Sequence, residues 1–233
     1  MVPVSFADHD MHILPRGALF WPRRNALLIA DLHFEKASWY ARSGQMLPPY
    51  DSMATLEAVE AIVAETGARE IWCLGDSFHD SAGPARLPAD VRARLAALTQ
   101  GTAWTWVTGN HDVALAPMLS NAGLGGRIVM EALVDGIMLR HEAVAEDRNP
   151  EISGHFHPKL RLSLRGRNVG RPCFVMGGTR MILPAFGALT GGLDVHHPQI
   201  RALVGQGAEA LVATGDRLLR FPIHGPLSRC DMA

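Results

Sequence analysis

The sequence predicts an α/β protein in which β-sheets pack together with helices on the outside, and three observations predict it. Apolar runs of strand length alternate with helical repeats through the first half of the chain. From Arg127 onward strand follows strand across short turn signals, as at Asp135-Gly136 and Gly215-Asp216. A hydrophobic content of 48% over 233 residues is enough for a large core, and we expect one domain over residues 1–233.

The elements follow in order. "NALLIADLHF", Asn25 to Phe34, starts as a buried strand and ends on polar residues. "DSMATLEAVEAIVAETG" predicts a helix, with Asp51 or Ser52 as cap, Leu56, Val59, Ile62 and Val63 at helical spacing, and Gly67 as the stop. "EIWCLGD" is the next strand. "LPADVRARLAALTQG" repeats the scheme, with Pro88 in the first turn, Val91, Leu95 and Leu98 on one face, and Gly101 at the end. "TAWTWVTGNHD" is a further strand, and Trp72, Trp104 and Trp106 are expected in the core. "RIVMEALVDGIMLRHEA" predicts a hairpin at Asp135-Gly136, "HPKLRLSLRGRNVGRPCFVMGG" a pair of strands around Gly166, and "EALVATGDRLLRF" a last pair. No internal repeat or long linker divides the chain.

Composition excludes several functions. A net charge of -1 gives no global attraction for nucleic acid or anionic membrane, so such binding requires a local patch. Cys73, Cys173 and Cys230 are too scattered for a disulfide framework or a structural zinc site. The N-terminal "MVPVSFADHDMHILPRG" lacks a signal peptide's basic start and apolar middle, and no apolar run reaches membrane-spanning length. A soluble, cytoplasmic protein with no membrane partner is expected.

The chemistry gathers at strand ends: "ADLHF" with Asp31 and His33, "LGDSFHD" with Asp76, His79 and Asp80, "TGNHD" with Asn110, His111 and Asp112, "LRHEA" with His141, and "SGHFHP" with His155 and His157. Strand alternation would send Asp31 with His33, and His155 with His157, to one side as chelating pairs. Each fragment alone has a structural reading, since buried polar groups usually just satisfy one another. Together, Asp31, His33, Asp76, Asn110, His141, His155 and His157 exceed what one ion needs and fit two divalent ions. Nitrogen and oxygen ligands suit manganese, iron, zinc or nickel and argue against calcium. Two such ions with Asp31, Asp76 and a hydroxide between them leave roughly one positive charge facing a phosphate substrate.

The motifs D-x-H, G-D, G-N-H-D, H and G-H-x-H, in this order from Asp31 to His157, resemble the signature of the calcineurin-like metallophosphoesterases. "LGDSFHD", "GHFHPK" and "GGTRMILPAFGALTGGLDV" are similar to the bacterial ligase-associated DNA damage response endonucleases, which are manganese-dependent phosphodiesterases. That resemblance implies a four-layer αββα sandwich of two mixed β-sheets flanked by helices. It implies that Asp31, His33 and His157 hold one metal and Asn110, His141 and His155 the other. It also implies that Asp76 bridges the two and that His111 is the general acid. Glu142 after His141 departs from the histidine-glycine pair of many members. The implied activity is hydrolysis of DNA phosphodiester bonds in repair, with two Mn2+ ions and with a DNA ligase or helicase as partner. A small-molecule phosphatase or cyclic phosphodiesterase on the same site is one alternative, and a catalytically silent scaffold is another.

Further residues are expected around that site. Asp80 is grouped with the catalytic residues, and His79 with substrate contacts or with residues that orient the ligands. Lys159, Arg161, Arg165, Arg167 and Arg171 could track a DNA backbone or simply decorate a solvated hairpin. Arg180 is placed at the substrate, with a structural salt bridge as the competing reading. Trp39 and Tyr40 are expected at the cleft rim, where an aromatic stacks on a base.

Overall fold

The computed structural model describes residues 1–112, 115–164 and 167–223. The first sheet is built in chain order from β1 (Val2–Phe6), β2 (His9–Ile13), β3 (Leu19–Trp21), β4 (Ala26–Ile29), β5 (Glu70–Leu74), β6 (Ala103–Val107) and β7 (Arg127–Val129). Neighbours are antiparallel up to β4 and parallel from β4 to β7. Parallel neighbours need long crossovers, and helices supply them. These are α1 (Lys36–Ala41) and α2 (Asp51–Thr66) after β4, α3 (Gly83–Arg86) and α4 (Ala89–Gly101) after β5, and α5 (Leu115–Asn121) after β6.

The second half supplies β8 (Glu131–Val134), β9 (Ile137–Arg140), β10 (Glu151–Ser153), β11 (Lys159–Leu164), β12 (Arg167–Pro172), β13 (Phe174–Gly177), β14 (Arg180–Ile182), α6 (Pro198–Val204), β15 (Glu209–Thr214) and β16 (Arg217–Pro222). The second sheet runs β16-β15-β13-β14-β10-β9-β8, and β11 with β12 forms a separate ribbon. It is mixed, since β10 is parallel to both β9 and β14 while its other pairs are antiparallel. The β8–β9 turn is the expected one: Val134 pairs with Ile137, and Asp135 and Gly136 both take positive φ, as a tight two-residue turn requires.

β4 shows why its sequence is apolar throughout. Leu27 and Ile29 face Leu56, Val59 and Leu95 of the helical layer, while Ala26 and Leu28 face Ile152, Phe174 and Leu211 of the second sheet. A strand buried on both faces has no polar side to show. Behind the second sheet a thinner layer, α6 with the ribbon, covers Val175 and Ile182 through Leu160, Ile200 and Val204. The result is two mixed sheets flanked by helices, as expected.

Two local expectations change. The cap of α2 is neither Asp51 nor Ser52, because Tyr50 occupies that position with no side-chain cap bond. Asp51 instead accepts the Ala37 N–H at 3.0 Å, and Ser52 donates to Glu35 at 2.7 Å, so both tie α1 to α2. Expectation also assigned no element before Asn25. The alternation of buried Val2, Val4 and Phe6 with exposed Pro3 and Ser5 is the signal that identifies β1. Among the described residues no helix is long and apolar enough to cross a membrane.

Candidate metal centre

Two clusters of ligand atoms lie side by side at the strand ends. Asp31, His33 and His157 form one and Asp76, His141 and His155 the other, each with one ligand atom per residue and all three within 4.8 Å of one another. They are contiguous, since His141 Nδ1 of the second cluster is 3.7 Å from Asp31 Oδ1 of the first.

The ligands converge by a different device from strand alternation. β4 ends at Ile29 and β10 at Ser153, so neither chelating pair lies on a strand. Asp31, His33, Asp76, His155 and His157 all have positive φ, between 44° and 70°. Non-glycine residues avoid this region at a cost of about 1 kcal/mol or more each, and such strain persists where surrounding bonds over-determine it. Here the bonds join one motif to the next. Asp31 N–H donates to Gly75 O at 3.2 Å, His33 N–H to Asp76 O at 3.0 Å, and Gly154 N–H to His141 O at 2.9 Å. His155 N–H donates to Asp31 Oδ2, and His111 N–H to Asp76 Oδ1, each at 2.9 Å.

The motif glycines allow this closeness. A Cβ on Gly75 would lie 2.1 Å from His141 Nδ1, and one on Gly154 would lie 2.6 Å from Asp31 Oδ2. Only hydrogen fits at either place.

The donor set fits divalent ions. Asp31 is 0% exposed, and its Oδ1 makes no hydrogen bond among the described residues, which is costly unless a cation compensates it. Like nitrogens also face each other: His33 Nε2 and His157 Nε2 at 3.3 Å, and His155 Nδ1 and His141 Nε2 at 3.1 Å. His141 Nδ1 donates to Leu74 O at 3.1 Å, which leaves the Nε2 lone pair aimed at the cluster. Burial, helped by His157, drops the His33 pKa to about 2, and burial with His141 lowers that of His155. Both imidazoles are neutral, the form that binds metal.

Around this centre the expected residues separate. Asn110 is exposed on the loop after β6 and lines an open pocket of about 490 Å³ with His141 and Glu142. His111 Nε2 lies 3.9 Å from Asp76 Oδ2, with 45% of the side chain exposed. Glu142 places Oε1 3.6 Å from His155 Nε2 at the rim. Asp80 pairs with Arg86 at 2.5 Å.

Arg180 bonds Glu151 at 2.8 Å, Leu203 O at 3.0 Å, and the carbonyls of Val144, Ala145 and Asp147, so these donors clamp the loop after His141, the structural role named as its competing reading. The basic stretch does not make one track. Lys159 and Arg161 share one face of the ribbon and Arg167 and Arg171 the other, because register alternates them. Arg161 is exposed and 3.7 Å from Asp194, Lys159 donates to Thr190 O, and Arg165 lies outside the described residues.

Two further residues shape the site: Asp112, already named among the strand-end residues, and Lys36, which the sequence reading missed. Asp112, in the same "GNHD" as His111, accepts from Gly109 N–H at 3.0 Å and Ser77 N–H at 3.3 Å, pinning the loop of Asn110 and His111 to that of Asp76. Burial lifts its pKa to about 6. Lys36 stands half-buried near His33 and His79, with no hydrogen bond or ion pair among the described residues, and burial lowers its pKa. A cation five residues after Asp31 on a short helix carries no periodic signal.

No family model matches the chain, and no curated protein does. Among solved structures it resembles the Pseudomonas putida nuclease MPE, at 26% identity and a TM-score of 0.70, covering 94% of this chain and 98% of that one. Yfce, a phosphoesterase from E. coli, matches at 17% identity and a TM-score of 0.42, covering 85% and 93%.

Proposed function

We propose that this chain, a metal-dependent phosphoester hydrolase of the calcineurin-like metallophosphoesterase superfamily, cuts phosphodiester bonds in DNA. The observation that carries the reading is the pair of contiguous ligand clusters with His111 on their open side. The fold likeness to a nuclease over nearly the whole chain supports nucleic acid as substrate.

Asp31, His33 and His157 would hold one ion, Asn110, His141 and His155 the second, and Asp76 would reach both. When bound, the ions would supply Lewis-acid polarisation of the phosphoryl group and a lowered pKa for an attacking water. The protein supplies the rest. Asp31 and Asp76, both nearly fully buried, fix the charge of the site, and their hydrogen bonds to His155 N–H and His111 N–H fix the geometry. His111 hands a proton from its imidazole to the departing oxygen, since it is the exposed histidine beside Asp76. We take manganese as the native metal, a cytoplasmic repair process as the setting with a DNA ligase or helicase as partner, and residues 1–233 as one domain.

The test is hydrolysis by the Mn2+-loaded protein of hairpin DNA, a cyclic nucleotide and a simple phosphomonoester, with Asp76→Ala as control. DNA cleavage lost in the control supports the proposal. Turnover of the small substrates without DNA cleavage would make this a small-molecule phosphatase or cyclic phosphodiesterase. Metal binding without any turnover would make it a scaffold.

A further inference from the structure

A row of aromatic rings leads away from the metal centre. His111 stacks on His79, with centroids 5.4 Å apart and planes 19° apart. His79 in turn stacks on Tyr40 at 5.7 Å and 27°. Trp39 closes the row edge-on, 4.8 Å from His79 and 4.9 Å from Tyr40, and is itself 38% exposed.

The row is held in place with unusual care. Trp39 and Tyr40 lie on α1, a helix of six residues that has little stability of its own. Besides the bonds from Asp51 and Ser52, Arg86 donates to Ser38 Oγ at 2.9 Å while gripping Asp80, and Asp80 directly follows His79. Both ends of the row are thus tied to one scaffold. Lys36 stands at the inner end of the same helix, near His33 and His79, with the Asp51 carboxylate as an electrostatic neighbour.

A cation near the metals with rings extending outward matches a phosphate followed by a nucleobase. We propose that Trp39 and Tyr40, backed by His79, form a stacking subsite for the nucleobase on the leaving-group side of the scissile phosphate. The side follows from the acid role proposed for His111, which starts the row. This rests on the DNA reading and names the part of the substrate that α1 binds. Aromatic rings stack on any base, so the subsite adds affinity without sequence preference.

The test uses short oligonucleotides with one cleavable phosphodiester, all other linkages being methylphosphonate, and a single abasic residue on one side or the other. Removing the base on the leaving-group side should lower kcat/KM of the Mn2+-loaded protein about 5- to 100-fold, mainly through KM. Removing the base on the far side should change it less. In Trp39→Leu/Tyr40→Leu, checked for unchanged metal content, the leaving-side penalty should shrink below about twofold. A penalty that persists in the variant, or is absent in the wild type, overturns the subsite while leaving DNA cleavage intact. Failure to cut any of these oligonucleotides or hairpin DNA, with bis(4-nitrophenyl) phosphate still hydrolysed, overturns the DNA reading and the subsite with it.

Discussion

Asp31 is the residue on which the centre turns, because it is fully buried, ionisable, and has one oxygen, Oδ1, without a hydrogen bond among the described residues. Asp31→Asn keeps the shape and removes the charge. It should lower metal affinity about 10-fold or more, read by calorimetric titration with Mn2+. His111→Ala should leave metal content unchanged and slow hydrolysis of poor leaving groups about 100-fold or more, with a smaller effect on a 4-nitrophenyl ester. Equal losses on both substrates would remove its acid role. Acid stability of the metal-free protein is a further check. The fold holds His33 at about 2 and His79 at about 4, both chiefly through burial, against 6.5 for the ordinary group. The unfolded chain therefore takes up protons that the fold refuses, and the stability present above about pH 6.5 is lost as pH falls towards these values. Asp112, raised from 3.8 to about 6, and Glu151, also raised by burial, act oppositely and weaken the fold as pH increases, but two carboxyls stand against three imidazoles, since His155 is lowered as well. The metal-free melting temperature should be lower at pH 5 than at pH 7, and His79→Gln should narrow the gap. A higher value at pH 5 would contradict the burial of these rings.

Among the elements, the loops after β4, β5 and β10 do more than the strands. They carry the ligands in left-handed conformations and bond to one another, so a change in one loop reaches the next. Gly75→Ala would press a methyl group into the His141 ring at a positive φ, and it should lower both stability and Mn2+ stoichiometry. Arg180→Met leaves Glu151, which is 0% exposed, with Arg140 as its remaining ion-pair partner at 3.6 Å. It should cost about 3 kcal/mol in urea unfolding, by the usual penalty for breaking a buried pair, and leave kcat less affected than stability. The residues of the two candidate clusters were legible in the sequence because D-x-H, G-D and G-H-x-H are tied to chemistry. Their conformation was not, since strand alternation and a left-handed turn both bring residues i and i+2 together. A salt bridge of Arg180 was one of its two readings, but its partners Glu151, Val144 and Leu203 were illegible, because they are distant in sequence or lie in a loop without a pattern.

For the whole molecule, the sequence pattern of alternating strands and helices followed by strands alone translates into two sheets with different connections, parallel crossovers in one and mostly antiparallel pairs in the other. β1 and β2 carry an alternation in their sequence, whereas the pairing of β10 between β9 and β14 is set by contacts far apart in the chain and has no local signature. The sandwich brings the loops of both sheets to one place, so that Asp31 and Asp76 from the first meet His141, His155 and His157 from the second. Neither half of the chain could make this centre alone. A two-ion site assembled across the sheets would show in calorimetric titration of the metal-free protein with Mn2+. Two ions per chain, falling to one or none in Asp76→Ala, is the result expected. A single ion in the wild type, or two that persist in the variant, would contradict it.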